Sequence, residues 1–183
     1  MGERIIVDAS VGIAYLRDEV ATAAVNRAAD AWFRSGAQLV VPAVFWTEIV
    51  NVLGTRHRYR AAQTAEALRE LDELGLETVE IGRPELLLVA DAMERHRMPA
   101  YDATYLVLAQ LLGAPLVTLD RRLAAAAGPL GMLLGGERGH EAREVASAYG
   151  TPREPARRSS LPDYAGLGAY LGELRRRALA GTP

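Results

Sequence analysis

The 183-residue chain contains no cysteine, and all 21 of its basic residues are arginine, so lysine is absent too. Without cysteine there is no disulfide framework, no thiolate zinc site and no sulfur nucleophile. Without lysine there is no amine for a Schiff base and no P-loop side chain beside a nucleotide's phosphates. The three histidines, His57, His96 and His140, are widely separated and lack HExxH spacing, which argues against a histidine-built metal site. No charge-free apolar run approaches the ~20 residues needed to cross a bilayer, so no membrane association is expected. The opening "MGERIIVDAS" goes straight into a strand-like segment and lacks the long apolar core of a signal peptide, so the expected location is cytoplasmic.

What is present fits one ordinary domain with an extension. Half of the residues are hydrophobic, which argues against disorder over most of the length. The formal charge of −2 hides an asymmetry: residues 1–128 hold 13 Arg against 17 Asp and Glu, whereas 129–183 hold 8 against 6. The main body is therefore net acidic and the tail net basic. A protein binding nucleic acid by bulk charge would be more basic than this. A polyanionic partner must be held by local arginines or by metal.

Short apolar runs alternate with helical patterns along the first 120 residues. "RIIVD", "AQLVVP", "LETVEI" and "PLVTLD" read as strands. "ASVGIAYL", "ATAAVNRAADAWFRSG", "VFWTEIVNVL", "AAQTAEALRELDELG", "PELLLVADAMERH" and "YDATYLVLAQLLG" read as helices, several of them closed by glycine. That alternation predicts a parallel sheet covered on both faces. The expected domain covers 3–128. Beyond it, 129–183 is rich in Gly, Pro, Ser and Arg and shows no clear strand, although "DYAGLGAYLGELRRRALAG" has the makings of a terminal helix weakened by three glycines.

Four acids stand out, each with a plain alternative. Asp8 ends the first strand and Asp120 the last, at the edge where open parallel sheets bind ligands; the competing reading of each is a cap on the helix that follows. Asp102 lies in the first turn of a helix, where the macrodipole favours a carboxylate, yet its stripe continues as apolar Leu106 and Ala109. Glu48 shares a narrow polar stripe with Thr47 and Asn51 on an otherwise apolar helix, which must face either a surface or a cleft. Convergence of the four has a cost, since two carboxylates ~4 Å apart repel by about 4 kcal/mol at an effective dielectric near 20. A divalent cation offsets that repulsion. Oxygen donors without Cys or His favour Mg²⁺, with Mn²⁺ as a substitute, over zinc. Magnesium keeps waters and shares phosphate oxygens, which suits phosphodiester chemistry.

In "IIVDAS", "TEIVNVL", "YDATYLVLA" and "VTLDRRL" the sequence resembles the PIN-domain ribonucleases, most closely the VapC-type toxins of bacterial type II toxin–antitoxin pairs. The segments occur in the family's order from Arg4 to Ala127. The resemblance implies a PIN-like three-layer α/β/α sandwich with a central parallel sheet, followed here by a C-terminal extension. It also implies Mg²⁺-dependent endonucleolytic cleavage of RNA. It maps the catalytic and metal-binding acids onto Asp8, Glu48, Asp102 and Asp120, with Ser10 and Thr118 as supporting hydroxyls. Asp8 and Asp102 are expected to hold metal directly or through water. Glu48 and Asp120 are expected to orient the attacking water or complete a second ion site. A homodimer and a cognate antitoxin partner are implied in the same way.

RNA must approach an acidic body, which turns attention to local arginines. Arg56, Arg58, Tyr59 and Arg60 in "RHRYR" combine charge with an aromatic ring able to stack on a base, and Arg121 and Arg122 follow Asp120. Ordinary solvated arginines are the competing reading. The basic tail differs from the usual toxin; its "ELRRRALAG" segment would restrain the enzyme by packing on the acidic face, or would serve as an RNA-binding appendage or a dimer contact. Competing functions are a non-catalytic PIN-fold binding module and an RNA-processing nuclease that is not a toxin. A Mg²⁺-dependent aspartyl-phosphate protein fits poorly, because it pairs two acids at the first strand and uses a lysine.

Overall fold

The computed structural model of the chain describes residues 3–17 and 22–135. The tail helix, with everything proposed for residues 136–183, lies outside the described residues.

Three apolar runs form the buried strands β1 (Arg4–Val7), β2 (Gln38–Pro42) and β4 (Leu116–Thr118), flanked by the short edge strands β3 (Glu77–Val79) and β5 (Gly131–Leu133). Ile6, Val40, Val41, Leu116 and Val117 have no exposed surface, as strands covered on both faces require. All pairings are parallel, in the order β3-β2-β1-β4-β5, with Ile6 opposite Val40 on one side and Leu116 on the other. Pro42 closes β2, where its missing N–H interrupts no central ladder; the next amide, Ala43 N–H, donates to Val79 O at 3.0 Å.

The sheet contains the expected alternation and one strand more. "GML" joins β4 in parallel as β5, although no strand was expected after Gly128. Three residues bounded by a 3₁₀ turn (Gly128–Leu130) and exposed at Met132 and Leu133 offer no period to read.

Seven helices are described: α1 (Ala9–Tyr15), α2 (Thr22–Ser35), α3 (Val44–Thr55), α4 (Ala61–Asp72), α5 (Arg83–His96), α6 (Ala100–Leu112) and α7 (Arg121–Ala127). With the parallel sheet they give the predicted α/β/α layering. α6 is the central one: Ala103 to Ala109 are all buried, and the helix packs on β1, β2 and β4. A helix apolar on nearly all sides belongs in such a place. α1 lies close against α3 because Gly12 has no side chain; a Cβ there would stand 2.8 Å from Phe45 Cζ.

The strand order determines where a ligand can bind. From β1 the chain builds outward to β2 and β3, then crosses back to place β4 and β5 on the other side. The order reverses between β1 and β4, and the crevice at the carboxyl ends of those two strands is the characteristic ligand site of an open parallel sheet. Asp8 directly follows β1, and Asp120 lies two residues past the end of β4.

Candidate active site

Asp8 begins as an N-cap by position, yet its side chain makes no capping bond to α1. Its Oδ2 instead accepts from the Ser10 hydroxyl and, at 2.7 Å, from the Thr118 hydroxyl. Each of those hydroxyls accepts a backbone amide in turn. Leu119 N–H donates to Ser10 Oγ at 3.1 Å, and Asp120 N–H donates to Thr118 Oγ1 at 2.9 Å. An amide donating to each hydroxyl leaves the hydroxyl's own proton to point at the carboxylate. The carboxyl ends of β1 and β4 are thus clamped through Oδ2 of Asp8. Burial pushes the Asp8 carboxyl above its usual value, the two hydroxyls and the nearby Ser10 amide pull it back, and the charge of Asp120 raises it.

Asp120 does cap α7, as its alternative reading held: Oδ1 accepts from Arg122 N–H at 2.6 Å and Leu123 N–H at 3.3 Å. Capping and ligand binding are compatible, because the cap uses one oxygen and leaves the other. Asp102, in the first turn of α6, is half-buried, and its carboxyl is pushed up to about 7 by burial, then by the charges of Asp8 and Asp120, against the pull of Arg122. Glu48, on α3, is pushed up to about 8, first by burial and then by Asp8 and Asp102, while a hydrogen bond from Tyr105 lowers it. The polar stripe of α3 therefore faces a cleft at Glu48, and Thr47 beside it is exposed.

Asp8 thus holds Ser10 and Thr118 by hydrogen bonds, and the four acids lie within electrostatic reach of one another through Asp8 and Asp102. A residue that the sequence reading overlooked joins them. Tyr105 is fully buried on α6, and its hydroxyl donates to Glu48 Oε2 at 2.5 Å. Burial and the charges of Asp8 and Glu48 hold the phenol well above its ordinary value. The signal was available: a tyrosine inside an apolar helix needs a partner for its hydroxyl.

The arginines are placed less evenly. Arg122 stands at the site, its charge felt by Asp102 and its guanidinium donating to the Arg97 carbonyl at 3.1 Å. Arg121 is exposed beside it. The 56–60 run begins at the far end of α3, about 12 Å along the helix from Glu48. There Tyr59 is half-buried against the core with its ring edge-on to His57 at 6.4 Å, Arg58 is in the left-handed region and exposed, and Arg60 stands at the start of α4 with its amide donating to Gln63 Oε1 at 2.9 Å. The structure does not gather that run with the carboxylates.

The donor set suits a hard divalent cation: carboxylate and hydroxyl oxygens, mutually repelling acids and no sulfur. Among the described residues no three Asp, Glu or His side chains lie close enough together to close on one ion. No helix among the described residues is long and apolar enough to cross a membrane.

Among solved structures, PAE2754 from Pyrobaculum aerophilum is similar at 25% identity and a TM-score of 0.51, covering 68% of this chain and 79% of that one. A chain of VapBC2 from Rickettsia felis, solved bound to a DNA fragment from its promoter, gives a TM-score of 0.55 at 11% identity, covering 71% of this chain and 96% of that one. At that identity the likeness is one of fold. No curated protein matches the sequence. The model of the PIN domain family matches residues 5–129, which contain the whole acidic crevice, and the chain belongs to the PIN domain family.

Proposed function

We propose that the protein is a Mg²⁺-dependent endoribonuclease and the toxin component of a toxin–antitoxin pair. PIN domains are generally metal-dependent nucleases. The observation that carries the reading is that Asp8 and Asp120 stand at the switch point of the sheet with Glu48 and Asp102 within electrostatic reach, and that Asp8, Glu48 and Asp102 are pushed toward protonation by burial first and by the charge of other acids second. A bound Mg²⁺, or Mn²⁺ in its place, would lower the pKa of a water and offset charge gathering on the phosphoryl oxygens.

The residues divide the remaining work. Asp8, fixed through Oδ2 by two hydroxyls, would hold the cation, and Asp102 would share it, directly or through water. Glu48 orients the attacking water, and Asp120 contributes the oxygen its cap does not use, or the two complete a second ion site. Water attacks phosphorus, the phosphodiester P–O bond breaks, and the departing oxygen keeps the bonding electrons. Arg122, whose charge Asp102 feels, would meet a phosphate, with Arg121 and the more distant Arg56, Arg58, Tyr59 and Arg60 tracking the strand. The toxin assignment rests on the order of the four motifs and on the shared fold with VapBC2. A cognate antitoxin, a homodimer and a cytoplasmic location follow from that assignment. So does a boundary near residue 128 between the nuclease domain and an appended tail.

The test incubates wild type and Asp102→Asn with a mixed RNA pool, in Mg²⁺ or in EDTA. Cleavage by wild type in Mg²⁺ alone is the expected result. One observation favours a second reading, a non-catalytic binding module: no three acids close on a single ion. That module leaves the RNA intact under every condition.

A further inference from the structure

Tyr105 has no role in the nuclease reading, yet its placement is hard to account for as core filling. The side chain has no exposed surface, and Ala103, Leu106, Val107 and Leu108 around it on α6 are buried and apolar. Phenylalanine would occupy nearly the same volume without a hydroxyl that must find a partner. That hydroxyl donates to Glu48 Oε2 at 2.5 Å, across 57 residues of sequence, from α6 to α3.

Helical spacing gives the contact a geometric consequence. Asp102 and Tyr105 are three residues apart and share a face of α6. One rigid helix thus places Asp102 directly and reaches Glu48 through the phenol. The last torsion of a glutamate is soft, so a free carboxylate samples many orientations. A hydrogen bond to one oxygen selects among them.

We propose that Tyr105 is a positioning residue, which holds Glu48 Oε2 so that Oε1 is turned toward the divalent cation and its waters, at a spacing from Asp102 fixed by α6. The role rests on the nuclease reading. It differs from simple core satisfaction, in which Glu48 is merely the partner a buried phenol requires.

Mn²⁺ titrated into the RNA-free full-length chain, followed by the electron paramagnetic resonance of free Mn²⁺, separates the two. The samples are wild type, Tyr105→Phe, Glu48→Gln and the double variant, each checked for folding by circular dichroism. Tyr105→Phe is expected to weaken Mn²⁺ binding about tenfold, the size of one hydrogen bond to a charged group. In the Glu48→Gln background the same change is expected to add nothing. Wild-type affinity in Tyr105→Phe, or losses that multiply in the double variant, would overturn the positioning role. Should Tyr105→Phe fail to fold, Glu48→Asp tests the contact from the other side, keeping the charge but withdrawing it from the phenol by one methylene. A similar weakening is expected there, and unchanged affinity counts against the proposal. If wild type itself binds no Mn²⁺, the nuclease reading fails and this role with it; if wild type binds and Tyr105→Phe binds equally, only the positioning role is lost.

Discussion

Glu48 titrates at about 8 in the folded chain against an ordinary 4.5, and Asp102 at about 7 against 3.8. Between those values the folded protein holds protons that the unfolded chain has released. Stability without metal therefore falls as pH rises: the contribution is complete below the unfolded values and is lost as pH passes through the folded ones. Melts in EDTA should show a lower Tm at about pH 8 than at about pH 5, and a flat or rising trend would contradict the cluster. Asp102→Asn should raise the metal-free Tm at the higher pH while ending cleavage, because it removes one of the repelling charges. Thr118→Val acts in the opposite direction. It takes a donor from Asp8 Oδ2 and an acceptor from Asp120 N–H, and should cost about 1–3 kcal/mol in chemical denaturation. The position of Asp8 and Asp120 at the carboxyl edge of the sheet was legible because strand ends place them. Tyr105 was not, because its ring merges with an apolar stripe and its partner lies on another helix.

α1 and α3 approach closely only because Gly12 lacks a Cβ. Gly12→Ala would place a methyl against the Phe45 ring, and overpacking of that kind costs about 1–3 kcal/mol. The change should also lower cleavage, since α1 begins beside Asp8 and α3 carries Glu48. Phe45→Leu in the same chain should recover part of both losses; failure to recover either would mean that the helices do not set the site's width. Most elements were readable from period and punctuation: three buried strands as continuous apolar runs, and α6 as a long apolar helix ended by Gly113 in the left-handed region. β5 escaped because an edge strand of three exposed or half-exposed residues is defined by its neighbour β4 and by nothing in its own pattern. The distance of the 56–60 run from the carboxylates was equally unreadable, since it depends on helix length and packing direction.

Across residues 1–128, 13 arginines face 17 acids, so an RNA substrate would meet a net repulsive body and would have to be held locally. If Arg56, Arg58, Arg60, Arg121 and Arg122 all touch phosphates, the slope of log K against log salt should not exceed ~3.5 in magnitude for a single strand. A steeper slope, measured with a cleavage-dead Asp102→Asn chain, would mean that other basic residues join in. The clamp on Asp8 has a consequence of another kind, in time. Its donors and their supporting amides come from Ser10 on one side and from Thr118, Leu119 and Asp120 on the other, up to 110 residues later. Contacts so distant in sequence form late, after the loops between them have closed. A chain emerging from the ribosome therefore carries Asp8 from its first moments without the arrangement that aims it. The acidic crevice comes into being only when β4 inserts beside β1, so assembly of the site reports that nearly the whole domain has been made and folded.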